Sequence, residues 1–168
     1  RSVTGSVMQE SFIFSDTFAH NIALDSDSLD ETRLYQAAKM ANVDGFIRTL
    51  PLGYHTKIGM EGNGVSQGQR QRLLIARAIY KNPEYIFFDE ATNALDTTNE
   101  SEIMHHLYEF YHGRTVVVAA HRLSTVKNAD QIVVIDQGKV VEVGNHESLT
   151  AKRGAYYNLV KSQLELGN

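Results

Sequence analysis

Tyr85-Ile86-Phe87-Phe88-Asp89-Glu90-Ala91-Thr92-Asn93-Ala94-Leu95-Asp96 is the stretch that decides the fold. Its first four residues are large and apolar, aromatic or β-branched, and read as a strand buried on both faces. That strand runs straight into two adjacent carboxylates. A sheet interior tolerates no unpaired charge, so Asp89 and Glu90 belong at the strand's end, facing solvent, a metal or a ligand. In open parallel sheets the crevice beyond the carboxyl ends of the strands is where ligands sit. Taken alone, the stretch reads better as an ordinary buried strand followed by an acidic loop. Its neighbours have to decide.

Downstream, Thr97-x-x-Glu100 has capping-box spacing, and Ile103, Leu107 and Phe110 follow at i, i+4 and i+7 of a helix that Gly113 closes. Residues 115–120 (TVVVAA) form a second buried strand with His121 at its carboxyl end. A helix between two strands is the crossover that parallel pairing requires, so His121 should emerge on the same sheet edge as Asp89 and Glu90. Upstream, Ser66-Gln67-Gly68-Gln69 repeats the capping-box pattern, with Ser66 as N-cap and Gln69 at N3. The helix it opens, residues 67–80, is apolar nearly all round after Leu73 and should be largely buried. Its N-terminus offers unpaired N–H groups and the positive end of the helix dipole, a natural seat for phosphate. By itself the segment is no more than a capped helix.

Further out, Ser6-Val7-Met8 looks like the end of a strand, with Gln9 where the apolar run stops, so the chain opens in mid-element and reads as truncated. The loop that follows carries Phe12, Phe14 and Phe18, either pinned to its own core or forming a docking surface. Ser28-x-x-Glu31 predicts a capped helix to about residue 41 with Leu34, Ala38 and Ala41 on one face. Asn42 breaks it, residues 43–49 form a shorter helix ended by Pro51, and the glycine-rich run 52–64 is loop. Beyond His121 the pattern predicts a short helix at 124–128 and a strand at 131–135. A tight turn at Asp136-Gln137-Gly138-Lys139 leads into a returning strand at 140–143. Asn145 caps a short helix near 147–150, and a last helix, 155–166, carries Tyr156, Leu159, Val160 and Gln163 on one side.

Composition excludes several classes. A net charge of −4 with no basic run argues against a protein that holds nucleic acid through its phosphates. No apolar run approaches the ~20 residues of a membrane-crossing helix. The absence of Cys removes disulfides and thiolate metal sites. The seven His residues are scattered, and His105, His106 and His112 suit a solvated helix face better than a ligand set.

Five motifs then occur in one order: Gln9; Val65-Ser66-Gln67-Gly68-Gln69-Arg70-Gln71-Arg72; the strand into Asp89-Glu90; Asn93-Ala94-Leu95-Asp96; and Ala120-His121-Arg122. Each is weak alone, but together they resemble the nucleotide-binding domain of ABC transporters over essentially the whole chain. Gln9 resembles the Q-loop glutamine, Ser66 and its neighbours the signature motif, Asp89-Glu90 the Walker B pair, Asp96 the D-loop and His121 the switch histidine. Leu50-Pro51-x-Gly53-Tyr54 and Gly138-Lys139-Val140-Val141-Glu142 resemble the exporter branch. Two departures stand out. Val65 and Gln67 replace the signature's usual Leu and Gly, but at N1 of a helix φ is negative and glycine is not required. Asn93 replaces the D-loop serine. Such variants resemble those of peptide and bacteriocin exporters. The sequence also holds no G-x-x-x-x-G-K-[ST].

The resemblance implies an α/β fold, a partial P-loop NTPase (RecA-like) core with parallel strands plus the ABC helical subdomain. The Q-loop and helical subdomain would take about residues 10–82 and the core remainder about 83–168. The P-loop strand, the adenine-stacking aromatic and the N-terminal antiparallel subdomain would all precede Arg1. The resemblance implies ATP and Mg²⁺ as cofactors. Ser66, Gly68, Gln69 and Asp96 would serve nucleotide across a head-to-tail dimer, and Asp89 and Gln9 the metal. Glu90 would be the general base, with Gln9 and His121 beside it. It also implies a transmembrane domain docked near Phe12 and Phe18, at the cytoplasmic face of the membrane. Without its P-loop strand the strand at 131–135 would lose a neighbour and open a hydrophobic edge, leaving the isolated chain marginal and inactive. Two other readings are a soluble ABC-type ATPase of DNA maintenance and a non-catalytic interaction fragment.

Overall fold

The computed structural model describes residues 3–8, 11–24, 29–59, 64–89, 97–120 and 126–166. They fall into two compact units, Arg1–Ala119 and Ala120–Asn168.

Three parallel strands carry the first unit: β1 (Thr4–Val7), β2 (Tyr85–Asp89) and β3 (Thr115–Ala119), adjacent in that order. Val7 lies beside Phe88, Phe88 beside Val118, and Asp89 beside Ala119, so the three carboxyl ends share one rim. Between β1 and β2 come α1 (Phe18–Ala23), α2 (Glu31–Met40), α3 (Asp44–Thr49) and α4 (Gln67–Lys81). Between β2 and β3 comes α5 (Thr97–Tyr111). Helix α4 packs on α1, α2 and β1, and Ile22, Leu34, Ile47, Leu73 and Ile75 are wholly buried in one continuous core. From α5 that core receives Ile103, Leu107 and Phe110, the residues its spacing selects.

Within these 168 residues β2 is covered on one face only, not on both as expected. Ile86 and Phe88 are buried, but Tyr85 and Phe87 are 45% and 42% exposed, and Val117 beside Phe87 on β3 is 51% exposed. The reason is topological. The chain steps from β1 to β2 to β3 in one direction, and right-handed crossovers then bring every connecting helix to the same face. An apolar run does not report the direction in which a sheet is wound.

Smaller corrections follow from local chemistry. The N-cap of α2 is Asp30, whose carboxylate accepts the Arg33 N–H at 3.0 Å, and Ser28 lies outside the described residues. Asp30 sits directly before the helix, and Glu31 at N1 then meets the positive dipole end. Within the run 52–64, a 3-10 turn (Gly53–His55) holds Tyr54, whose hydroxyl donates to Asp44 at 2.7 Å. The side chains of residues 97–100, including the expected Thr97 cap, lie outside the described residues.

The second unit is an antiparallel hairpin, β4 (Ile132–Asp136) and β5 (Lys139–Gly144), followed by α6 (His146–Lys152) and α7 (Ala155–Leu166). Gln137 and Gly138 at the turn have φ of 48° and 74°, the double positive φ that joins twisted strands tightly. Ile132, Val134, Leu149 and Tyr156 form its small core. Among the described residues β4 pairs with β5 alone, and Val133, Ile135, Val140, Val141 and Val143 stay exposed. Leu159 is 55% exposed and Gln163 is exposed. A two-stranded sheet is too narrow to cover the whole helix face, and Tyr156 and Val160 take what there is. The helix expected at 124–128 lies partly outside the described residues.

Candidate functional site

Helix α4 begins as its sequence dictates. Ser66 is extended (φ −68°, ψ 164°), its Oγ accepts the Gln69 N–H at 3.2 Å, and Gln69 Oε1 accepts the Ser66 N–H at 2.8 Å. This reciprocal cap uses the Gln69 N–H and only a lone pair of the Ser66 hydroxyl. The N–H groups of Gln67 and Gly68, one turn too early for a helix carbonyl, remain as donors. Gln67 is N1 and is not among the residues with positive φ, so a glycine there is not needed. Ser66 and Gln67 are exposed, and the first turn holds no acid. Arg72 adds a cation one turn on: its Nε donates to the Gly68 carbonyl at 3.3 Å and a terminal nitrogen to the Asn42 carbonyl at 3.1 Å. Backbone donors, a hydroxyl, a dipole end and a nearby guanidinium, with no acid among them, suit an anion.

The sheet rim supplies the other half of the chemistry. Asp89 is exposed at the end of β2, in register with Ala119. By the alternation of the strand it belongs to the uncovered face with Tyr85 and Phe87. Gln9, Glu90, Asp96 and His121 lie outside the described residues, as does Asn93. In sequence, Gln9 comes two residues after the end of β1, Glu90 one after β2, and His121 two after β3. An exposed carboxylate at such a rim is a hard oxygen donor of the kind Mg²⁺ takes. Among the described residues no cluster of three or more metal-ligating side chains occurs.

The family model for ABC transporters matches residues 1–93. The chain belongs to the ABC transporter family. This ABC chain is 51% identical over 157 residues to the ATP-dependent lipid A-core flippase of Saccharophagus degradans, a match covering 94% of the chain and 27% of the flippase. It is 45% identical over 157 residues to multidrug resistance protein pgp-1 of Caenorhabditis elegans, covering 94% of the chain and 12% of that protein. The solved structure of a bacterial Atm1-family ABC exporter with ATP bound matches with a TM-score of 0.91 at 41% identity, over 97% of this chain and 28% of that one. The ABC chain thus spans well under a third of the length of each of these relatives. Its α/β fold is that of the corresponding part of an exporter's nucleotide-binding domain.

The aromatic loop of the ABC chain is pinned to its own core by part of its length only. Ile13 and Phe18 are buried and pin it, whereas Phe12 and Phe14 stand exposed, edge to face at 5.2 Å. Sequence reasoning passed over the group that holds this loop. Helix α4 is not apolar all round, because Arg77 interrupts it between Ala76 and Ala78. A guanidinium inside a buried run must find partners, and that was the available signal. Burial pushes its pKa down to about 10.

Proposed function

We propose that this chain is part of the ATP-hydrolysing motor of an ABC exporter, coupling hydrolysis to export of a substrate across a membrane. The observation that carries the reading is the parallel register of β2 and β3, with Asp89 beside Ala119. It supports a shared rim for the acid pair and the histidine that follow in sequence. The family match and the ATP-bound exporter relative support the cofactor. Bound ATP supplies the γ-phosphoryl group, and Mg²⁺ neutralises charge developing on it.

In this proposal Asp89 holds the metal's shell with Gln9, and Gln9 also contacts the attacking water. Glu90 orients that water and takes its proton. His121 donates to the γ-phosphate and steadies the transition state. Ser66 and Gly68 present a hydroxyl and an N–H to the γ-phosphate held by a second, head-to-tail domain, Gln69 keeps that helix end in shape, and Asp96 works across the interface. Phe12 and Phe14 dock a transmembrane domain, which holds the motor at the cytoplasmic face of the membrane. A soluble ATPase is not favoured, since the relatives above are named as a flippase, a multidrug resistance protein and an exporter. Peptide cargo rests on Gln67 and Asn93 alone and has no counterpart in those names.

In the full-length transporter, Glu90→Gln should slow ATP turnover by ~10²–10⁴-fold, the usual worth of a general base, while ATP still binds. Unchanged turnover removes Glu90 from the role. The 168 residues alone, lacking a phosphate-loop motif in their sequence, should show no heat of ATP binding by titration calorimetry. Stoichiometric binding to the chain alone would break that part of the proposal.

A further inference from the structure

Arg77 lies eleven residues along α4 from Ser66, about 16 Å at 1.5 Å per residue. Its guanidinium reaches out of the helix to two separate segments. Nε donates to the Asn21 carbonyl at 2.7 Å, one terminal nitrogen to the Phe12 carbonyl at 2.9 Å, and the other to Asn21 Oδ1 at 3.2 Å. The Phe14 ring lies 5.5 Å from the guanidinium carbon, within cation–π range. Asn21 is wholly buried, and its amide donates to the carbonyls of Phe14, Asp16 and Thr17 at 3.0–3.3 Å while its oxygen accepts the Phe14 N–H at 2.8 Å. Among the described residues no carboxylate lies within ion-pair distance of Arg77. This partly buried cation is satisfied by carbonyls and one amide.

Such a site is costly to build for stability alone, because an apolar side chain would fill the volume without desolvating a charge. Its geometry gives something a hydrocarbon cannot. A planar fork with several fixed donors holds Phe12 and Asn21, nine residues apart, in one orientation relative to α4. A lysine has three donors but carries them on a rotatable point charge, so it cannot fix the relative orientation of the two segments.

We infer that Arg77 is a positioning residue that makes the aromatic loop and α4 move as one body, so that displacement at Phe12 and Phe14 reaches the Ser66 end of the helix. The inference rests on the reading that this helix end serves nucleotide and that the loop faces a partner. It adds the strut between them. Helix α4, a continuous hydrogen-bonded rod packed on α1, α2 and β1, carries the displacement to its exposed front.

The test uses the full-length transporter in bilayer nanodiscs, with a fluorophore on Cys introduced at Ser15, exposed in the same loop and outside the proposed docking pair. A non-hydrolysable ATP analogue with Mg²⁺ changes the label's signal in the otherwise native protein. In Arg77→Lys and Arg77→Gln the change falls by ~5-fold or more, the lower end of site-to-site coupling, although nucleotide still binds. A lysine variant that responds as fully as the native protein overturns the inference. Should both variants fail to fold, hydrogen exchange on the native transporter decides. The Phe14 amide, donated to Asn21, slows with nucleotide together with the amides of α4, and indifference of Phe14 to nucleotide overturns the strut. A transporter that hydrolyses no ATP fails the proposed function instead, a separate outcome.

Discussion

The first turn of α4 and its stretch from Leu73 on follow opposite rules. At the front, Ser66 and Gln67 are exposed, and the helix end is shaped by neutral polar groups that bond to each other. At the back, Leu73, Ile75 and Ala76 are wholly buried, and one cation is matched to carbonyls. Free donors are displayed where the helix touches solvent and the local conformation tolerates change. Position is set where the helix is enclosed and each volume is specified. A residue at the front can therefore be altered for its chemistry with little loss of fold, and a residue at the back cannot.

Breaking the back should have the largest effect on folding. Ile75→Ala removes a wholly buried side chain from the centre of the core and should cost ~2–5 kcal/mol in denaturant unfolding of the nucleotide-binding segment. A loss under ~1 kcal/mol would mean that the site collapses freely and the contrast is overstated. At the front, Ser66→Asp sharpens it. Asp is as good an N-cap as Ser, so stability should change by under ~0.5 kcal/mol. A carboxylate facing phosphate should nevertheless lower ATP turnover of the full transporter at least ~10-fold, since like charges in contact cost several kcal/mol. Full turnover in that variant would show that the Ser66 end meets no phosphate. Ser66→Ala removes the cap without adding charge and should cost about 1 kcal/mol of stability. Gln67→Gly, which restores the usual signature glycine, should change stability by no more than ~0.5 kcal/mol and leave turnover as it is. A marked gain in turnover would show that Gln67 obstructs.

The smallest effect concerns the loop that Arg77 holds. The Asp16 carboxylate accepts the Thr17 N–H at 2.7 Å and pairs with the His20 ring at 2.5 Å, and these hold its pKa below the ordinary 3.8, the backbone bond most strongly. With a folded value below the unfolded one, its contribution is present above pH 3.8 and is lost as pH falls through the folded value. Carboxyl carbon NMR should place the native midpoint below 3.8, and His20→Ala should raise it without fully restoring it, because the Thr17 bond remains. A native midpoint at or above 3.8 would remove the pairing.

Much of this was legible along the chain because the signals are local. The capping box at Ser66 and Gln69, the i, i+4, i+7 stripe of α5 and the hairpin turn at Gln137 and Gly138 each depend on a few neighbouring residues. Parallel pairing of β2 and β3 was legible too, since a helix between two strands leaves few other connections. Where two local options compete the reading slipped, as when Asp30 took the cap assigned to Ser28. Arg77 was overlooked because hydrophobic periodicity averages over a single charge.

The sequence by itself determined most of the elements and the family, and it nominated the residues proposed to bear the chemistry, because caps, periodicities and motif order are written in neighbours. Only the tertiary structure decided that, within these 168 residues, β2 has one covered face and one bare, and that a half-buried cation in α4 ties down a loop more than fifty residues earlier. Both depend on the direction in which the sheet winds and on segments that meet only after the chain closes on itself, and neither is encoded in any short stretch.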